Sequence, residues 1–224
     1  MSAITKNSLV PRYVIFDFDG VIIDSEPAHE KAMRITLDHF SISYHESLFD
    51  QFKGIPDDVF LDLICSQNPQ ADKQQLFEFK RVAYKDIFSQ VELVDGFLTF
   101  AKSMKERGFK LAIASSTQKK DLLLLGERVS FDELFDVIIT ANDTQHHKPH
   151  PEPYVKAMKL LNCSVDECLV IEDSPNGIRS AKAAGCFVIG LTTSFNGIEL
   201  LNSGADVIVQ NYQELDGIIL QARG

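Results

Sequence analysis

The sequence predicts an α/β chain: a doubly wound parallel sheet with a small helical domain inserted after its first strand. Three observations carry that prediction. Short, continuously apolar runs recur along the chain, amphipathic helical spacings lie between them, and one long stretch, residues 25–94, holds helical spacings alone. Apolar runs suit strands buried on both faces, and strands alternating with helices build βαβ units.

The strand candidates are Tyr13–Phe16, 111–114, 137–140, 169–171, Phe187–Leu191 and Val207–Val209. Between them, Phe97, Phe100, Ala101 and Met104 fall at i, i+3, i+4 and i+7, and Gly108 supplies a C-terminal stop. Val155 and Met158 repeat the pattern before Leu161 and Asn162, and Ile178, Ala181 and Ala184 do so before Gly185. In the inserted stretch, Met33, Leu37 and Phe40 mark one amphipathic helix. Pro56 opens a second, with Asp57 and Asp58 in its first turn and Val59, Phe60, Leu63 and Ile64 on its apolar face. Leu76, Phe79, Ala83 and Ile87 mark a third. The expected domains are therefore residues 1–24 with 95–224, and residues 25–94, with hinges at the crossings near 25–27 and 94–96. The run 122–125 reads as a core-facing helix or an interface.

Composition removes several function classes. Thirty-two acidic against 22 basic side chains give a formal charge of −10. Such a field does not draw nucleic acid or anionic lipid, so neither is an expected partner. An anionic substrate would need a local cluster of cations, metal or backbone donors. Cys65, Cys163, Cys168 and Cys186 form no Cys-x-x-Cys pair, which reads as reduced thiols of a cytoplasmic protein. No apolar run approaches the ~18 residues of a membrane span, and residues 1–12 read as a short disordered leader without a signal-peptide core. Gly-rich phosphate loops, His-Glu-x-x-His and G-x-S-x-G are all missing from the sequence.

What remains is a set of strand-end residues. Asp17-Phe18-Asp19-Gly20 follows the first strand, and two carboxylates two apart on extended chain project to one side. They sit at the carboxyl end, where open α/β sheets deliver ligands. Carboxylates so close need a cation or a shared proton, although an acidic turn using Gly20 is the plain alternative. Glu172-Asp173 ends another buried strand, so Asp173 can approach Asp17, and converging acidic oxygens suit Mg²⁺. Asp173 or Ser174 could equally cap the following helix. Ser115-Ser116-Thr117 is either an anion seat or a helix cap. Lys148-Pro149 follows the strand at 137–140; proline biases Lys148 toward an extended conformation, from which it could balance carboxylate and phosphate charge or remain a solvated cation. His146 and His147 read as surface residues, and His29 as solvent-facing or as a neighbour of the Asp17 loop.

The segment from Asp17 to Ser25, then Ser115, Lys148-Pro149 and Glu172-Asp173-Ser174, closely resembles the four ordered motifs of the haloacid dehalogenase-like hydrolases, in the branch of β-phosphoglucomutase and small sugar-phosphate phosphatases. The match runs from Tyr13 to about Leu191. Any one motif is weak, but four in order at strand ends or adjoining loops are specific. The resemblance implies a Rossmann-like core with a helical cap, Mg²⁺ as cofactor, and an aspartyl-phosphate intermediate. It makes Asp17 the nucleophile and Asp19 the general acid and base. Asp17, Asp19 through its carbonyl, and Asp173 become metal ligands, with Glu172 in or beside that shell. Ser115 and the Ser116 amide hold the phosphoryl group, and Lys148 bridges Asp17 and the phosphate. The dehalogenases of the superfamily lack a second Asp corresponding to Asp19, which argues against carbon–halogen cleavage.

The same resemblance implies a monomeric phosphatase of a small phosphorylated metabolite. His29, Lys53 and Lys80 are its expected substrate residues in the cap. A phosphosugar mutase is the alternative, and a non-enzymatic phosphoryl-binding or regulatory protein the second. A mutase needs a second phosphate seat in the cap, and Asp57 stands where the mutases carry arginine.

Overall fold

The computed structural model describes residues 11–51, 57–88, 90–123 and 129–223. Lys53, Pro56, the end of the run 122–125 and the leader up to residue 10 lie outside the described residues. The strands are β1 (Tyr13–Phe16), β2 (Ile23–Asp24), β3 (Glu92–Leu93), β4 (Lys110–Ala114), β5 (Val137–Ile139), β6 (Cys168–Glu172), β7 (Phe187–Leu191) and β8 (Val207–Val209). The helices are α1 (Glu26–His39), α2 (Asp57–Gln67), α3 (Lys73–Phe88), α4 (Phe97–Glu106), α5 (Lys119–Leu123), α6 (Phe131–Leu134), α7 (Glu152–Leu161), α8 (Pro175–Ala183), α9 (Gly197–Asn202) and α10 (Tyr212–Arg223). The chain divides into two compact units, Met1–Asp24 with Leu93–Gly224, and Ser25–Glu92.

The larger unit is built on a six-stranded sheet in the order β5-β4-β1-β6-β7-β8, parallel throughout. Alternation along β1 shows why both faces are covered. Ile15 enters a core with Ala112, Tyr154, Ala157, Val170 and Val188. Phe16, one residue on, turns to the other face and meets Phe97 and Phe135 edge-on, at 5.7 and 5.8 Å between ring centroids. Burying one such side chain is worth about 1.5–3 kcal/mol. The sheet order reverses at β1, whose neighbours β4 and β6 leave it in opposite directions. Open α/β sheets bind ligands at such a switch point, which here lies at the carboxyl ends of β1, β4 and β6.

The smaller unit is helical, with its own core of Met33, Leu37, Phe60, Leu61, Ile64 and Leu76. Two helix faces differ from the sequence expectation. In α2 the buried residues are Phe60, Leu61 and Ile64, while Val59 and Leu63 are exposed. In α7, Tyr154, Ala157, Met158 and Leu161 are buried and Val155 is exposed. An apolar stripe wider than the contact it makes leaves some of its members in water. In α5, Leu122 is buried and Leu123 exposed. Among the described residues, no helix is long and apolar enough to cross a membrane.

Candidate active site

Register on the sheet brings the first acids together. Phe16 of β1 lies opposite Ile171 of β6, so Asp17 and the Glu172-Asp173 pair leave adjacent strands at the same level. The Asp17 amide extends the ladder by donating to the Ile171 carbonyl at 3.0 Å. The chain then turns sharply: the Gly20 amide donates to the Ile23 carbonyl at 2.8 Å. Gly20 takes φ +70°, and a β-carbon there would lie 1.8 Å from Asp173 Oδ2. Only glycine accepts both the left-handed backbone and the approach of that carboxylate.

Lys148 arrives from the loop between β5 and α7. The start of that loop is tied by Thr140, whose amide and hydroxyl both donate to Asp143 Oδ2, at 2.9 and 2.7 Å. Its far side is tied by Glu152, which accepts from the amides of Gln145 and His146, each at 2.9 Å. The Lys148–Pro149 peptide bond between these ties is cis. Lys148 Nζ donates to Asp17 Oδ1 at 2.5 Å and to Glu172 Oε1 at 2.7 Å, and lies 5.0 Å from the centre of the Tyr154 ring.

Glu172 is the most enclosed acid of the group. Its Oε1 also accepts from the Tyr154 hydroxyl at 2.7 Å. Its Oε2 accepts from the amides of Asp173 and Ser174 and from the Ser174 hydroxyl, at 3.0, 3.1 and 3.1 Å. A carboxylate offers about four lone-pair sites, so these donors already fill it. Ser174 caps α8 as the sequence allows, its hydroxyl accepting from the Gly177 amide. Burial and the Glu172 charge push the Tyr154 hydroxyl well above its ordinary range, which keeps it a donor.

Electrostatics set this cluster apart from a surface acidic turn. Burial, then the Glu172 charge, pushes Asp17 up to about 7 against the pull of Lys148. Burial, Glu172 and Asp17 push Asp173 well above the carboxylate range. Burial alone would lower Lys148, but Asp17 and Glu172 outweigh it and hold the ammonium charged. One ammonium cannot balance three buried carboxylates once all are ionised, so protons or a cation must make up the difference. Asp17, Glu172 and Asp173 each offer a ligand atom, all within 4.8 Å of one another. Oxygen donors so gathered fit Mg²⁺. With Glu172 filled by its donors, Asp17 and Asp173 are the carboxylates with room for it.

Ser115 is buried at the end of β4. Its amide donates to the Ile139 carbonyl at 2.9 Å, and its hydroxyl accepts from the Thr117 amide at 2.8 Å. Ser116 is exposed beside it. Thr117 donates from its hydroxyl to Asp19 Oδ2 at 2.5 Å, fixing the second acid of the first turn. His29 and Lys80 lie in the helical unit, where Lys80 Nζ contacts His29 Nδ1 at 2.7 Å and Asp57 Oδ2 at 2.6 Å. His29 stacks on Tyr84, so it is engaged rather than simply facing solvent.

Sequence reasoning did not single out Tyr154, Thr193, Ser194 or Tyr212 for the site. Ser194 donates to Asp173 Oδ2, and Thr193 to the Gly20 carbonyl, both at 2.5 Å. Tyr212 donates to the Val21 carbonyl at 2.7 Å. One signal was readable: Thr192-Thr193-Ser194 is a hydroxyl run at the end of β7, like the run after β4.

A family model described as haloacid dehalogenase-like hydrolase matches residues 14–191. A phosphorylated carbohydrates phosphatase from Thermotoga maritima is 31% identical over 204 residues, covering 88% of this chain and 93% of the relative. A beta-phosphoglucomutase from Bacillus subtilis is 28% identical over 211 residues, covering 90% of each. The crystal structure of a conserved haloacid dehalogenase-like protein from Agrobacterium tumefaciens superposes with a TM-score of 0.79 at 25% identity, covering 94% of this chain and 98% of that one.

Proposed function

The chain belongs to the haloacid dehalogenase-like hydrolase family, and from that premise we propose that it is a Mg²⁺-dependent phosphatase of a small phosphorylated metabolite, working through phosphorylated Asp17. The observation that carries the reading is the contact of Lys148 with Asp17 beside the buried Asp173 carboxylate. A carboxylate is a weak nucleophile, and Lys148 holds this one in a fixed direction while meeting the charge of the transferring group. Asp17 attacks phosphorus as the bond to the leaving oxygen breaks. Asp19, oriented by Thr117, gives that oxygen its proton and then takes one from the water that cleaves the aspartyl phosphate. Ser115 and the Ser116 amide hold the phosphoryl oxygens. Bound Mg²⁺ supplies further neutralisation of phosphoryl charge, held by Asp17, Asp173 and the Asp19 carbonyl. Glu172 is a positioning residue that fixes Lys148 and the Asp173 turn.

The similarity to a phosphatase of phosphorylated carbohydrates supports a sugar phosphate or a related substrate. Within the helical unit Asp57 balances Lys80 at 2.6 Å, an acid where the mutases of the family carry arginine, which supports hydrolysis. The similarity to a beta-phosphoglucomutase favours the mutase as second reading.

Phosphate release from a panel of sugar 1- and 6-phosphates, pyrophosphate and an aryl phosphate tests the proposal, with wild type beside Asp17→Asn. Release that needs both Mg²⁺ and Asp17 supports hydrolysis, and the best substrate names its niche. Isomerisation of a hexose 1-phosphate, with a bisphosphate primer, far faster than hydrolysis would replace it with the mutase. Silence in both assays would move the chain to a non-enzymatic phosphoryl-binding role.

A further inference from the structure

The loop that carries Lys148 holds a second cluster of chemistry-bearing groups. His146 and His150 lie on either side of Lys148 in sequence, and Glu152 opens α7 two residues later. The fold closes these residues on themselves. His146 Nδ1 contacts Glu152 Oε2 at 2.9 Å. The His146 and His150 rings stack at 4.5 Å between centroids. The Glu152 amide donates to His150 Nδ1 at 3.2 Å. All three side chains offer a ligand atom within 4.8 Å of one another. The adjacent pair His146-His147 has no ligand pattern by itself; the second and third members of the cluster come from beyond Lys148. His147 turns instead to the Thr144 hydroxyl, at 3.4 Å.

We propose that His146, His150 and Glu152 form a binding site for a borderline divalent cation, Zn²⁺ foremost, separate from the Asp17–Asp173 site. The donor set decides the metal. Two imidazoles and one carboxylate match zinc and its neighbours, whereas Mg²⁺ prefers oxygen donors alone. The groups are prepared for it. Glu152 Oε2 already faces His146 Nδ1 at 2.9 Å, and the His150 ring stacks on that of His146. The cation would sit between His146 and Glu152, with the His150 ring turning to bring a nitrogen to it. Glu152 keeps its backbone donors from Gln145 and His146, which fix the carboxylate as outer hydrogen bonds do at metal centres. Three protein ligands on an exposed loop leave a fourth position for water, so the site is an open, exchangeable one. Its closure would clamp residues 146–152 around Lys148.

The test is Zn²⁺ titration of untagged full-length protein in saturating Mg²⁺, which occupies the oxygen site. Binding is followed by calorimetry and by the histidine ring signals in ¹H–¹⁵N NMR. The expected result is one equivalent of Zn²⁺, with His146 and His150 rings shifting and the other histidines still. His150→Ala and His146→Ala, both outside the phosphoryl site, should each bind roughly tenfold or more weakly. Undisturbed His146 and His150 signals, or wild-type affinity in both variants, would overturn the site. Because the readout is binding, failure here leaves the phosphatase reading untouched, and failure of the phosphatase assay leaves this site untouched.

Discussion

The Glu172 carboxylate occupies the space that a β-carbon on Gly177 would need: that carbon would fall 1.6 Å from Glu172 Oε1. The first turn of α8 thus lacks a side chain where the carboxylate that anchors Lys148 passes beneath it. Gly177→Ala should push Glu172 aside and loosen Lys148. Overpacking of this kind costs about 1–3 kcal/mol, which for a chain of this size lowers Tm by several degrees. We expect at least a tenfold loss of kcat with it. A variant with wild-type melting and turnover would show that Glu172 has room to move.

Lys148→Met removes the one ammonium among three buried acids while keeping the length of the side chain. Breaking a buried pair from one side costs about 3–5 kcal/mol. The variant should melt lower at pH 8 than at pH 5, where Asp17 can take a proton, and should recover part of the loss on adding Mg²⁺. Turnover should fall by roughly 10² or more. Unchanged turnover would remove Lys148 from the mechanism.

The raised value of Asp17, about 7, predicts proton release when Mg²⁺ binds. The unfolded chain loses this proton near pH 4, whereas the folded, cation-free site keeps it to about 7. Folding therefore takes up a proton between these limits. The stability this contributes is fully present below about pH 4 and is lost as pH rises through 7. Mg²⁺ needs the bare carboxylates, so its affinity should climb by up to about tenfold per pH unit per displaced proton through 7 for Asp17, and further while Asp173 keeps its proton. Calorimetry at pH 6, 7 and 8 in two buffers of different ionisation enthalpy measures this directly. Equal affinity at all three pH values, without proton release, would contradict the raised value of Asp17.

Asp19→Asn should separate the two halves of the reaction. An aryl phosphate with a good leaving group needs little protonation, so its first step should survive better than that of a sugar phosphate. General acid–base help is worth about 10²–10⁴. The expected pattern is a loss in this range on the sugar phosphate, and a burst then a slow phase on the aryl phosphate as the Asp17 ester accumulates. Equal losses on both substrates without a burst would place Asp19 in binding.

Much of this was legible in the chain. Each strand of the large sheet announces itself because parallel strands are covered on both faces, and Val14, Ile15 and Phe16 are apolar without interruption. Asp17, Ser115 and the Glu172-Asp173 pair stand out because they follow such runs directly. The helix faces were less legible. Val59 and Val155 share the spacing of their buried neighbours but lie beyond the edge of the contact, and periodicity does not mark where a contact ends.

The sequence by itself determined the parallel sheet, the helical insertion and the acids of the site, since these follow from local apolar runs and from what must end them. Tertiary structure decided which groups those acids meet. Tyr154 reaches Glu172, Thr117 reaches Asp19 and Thr193 reaches the Gly20 carbonyl across 18, 98 and 173 residues of chain. Hydroxyl side chains carry no periodic signal and serve as readily in caps and turns. Their partners are fixed only when parallel register lines up the strand ends, and no local pattern encodes that register.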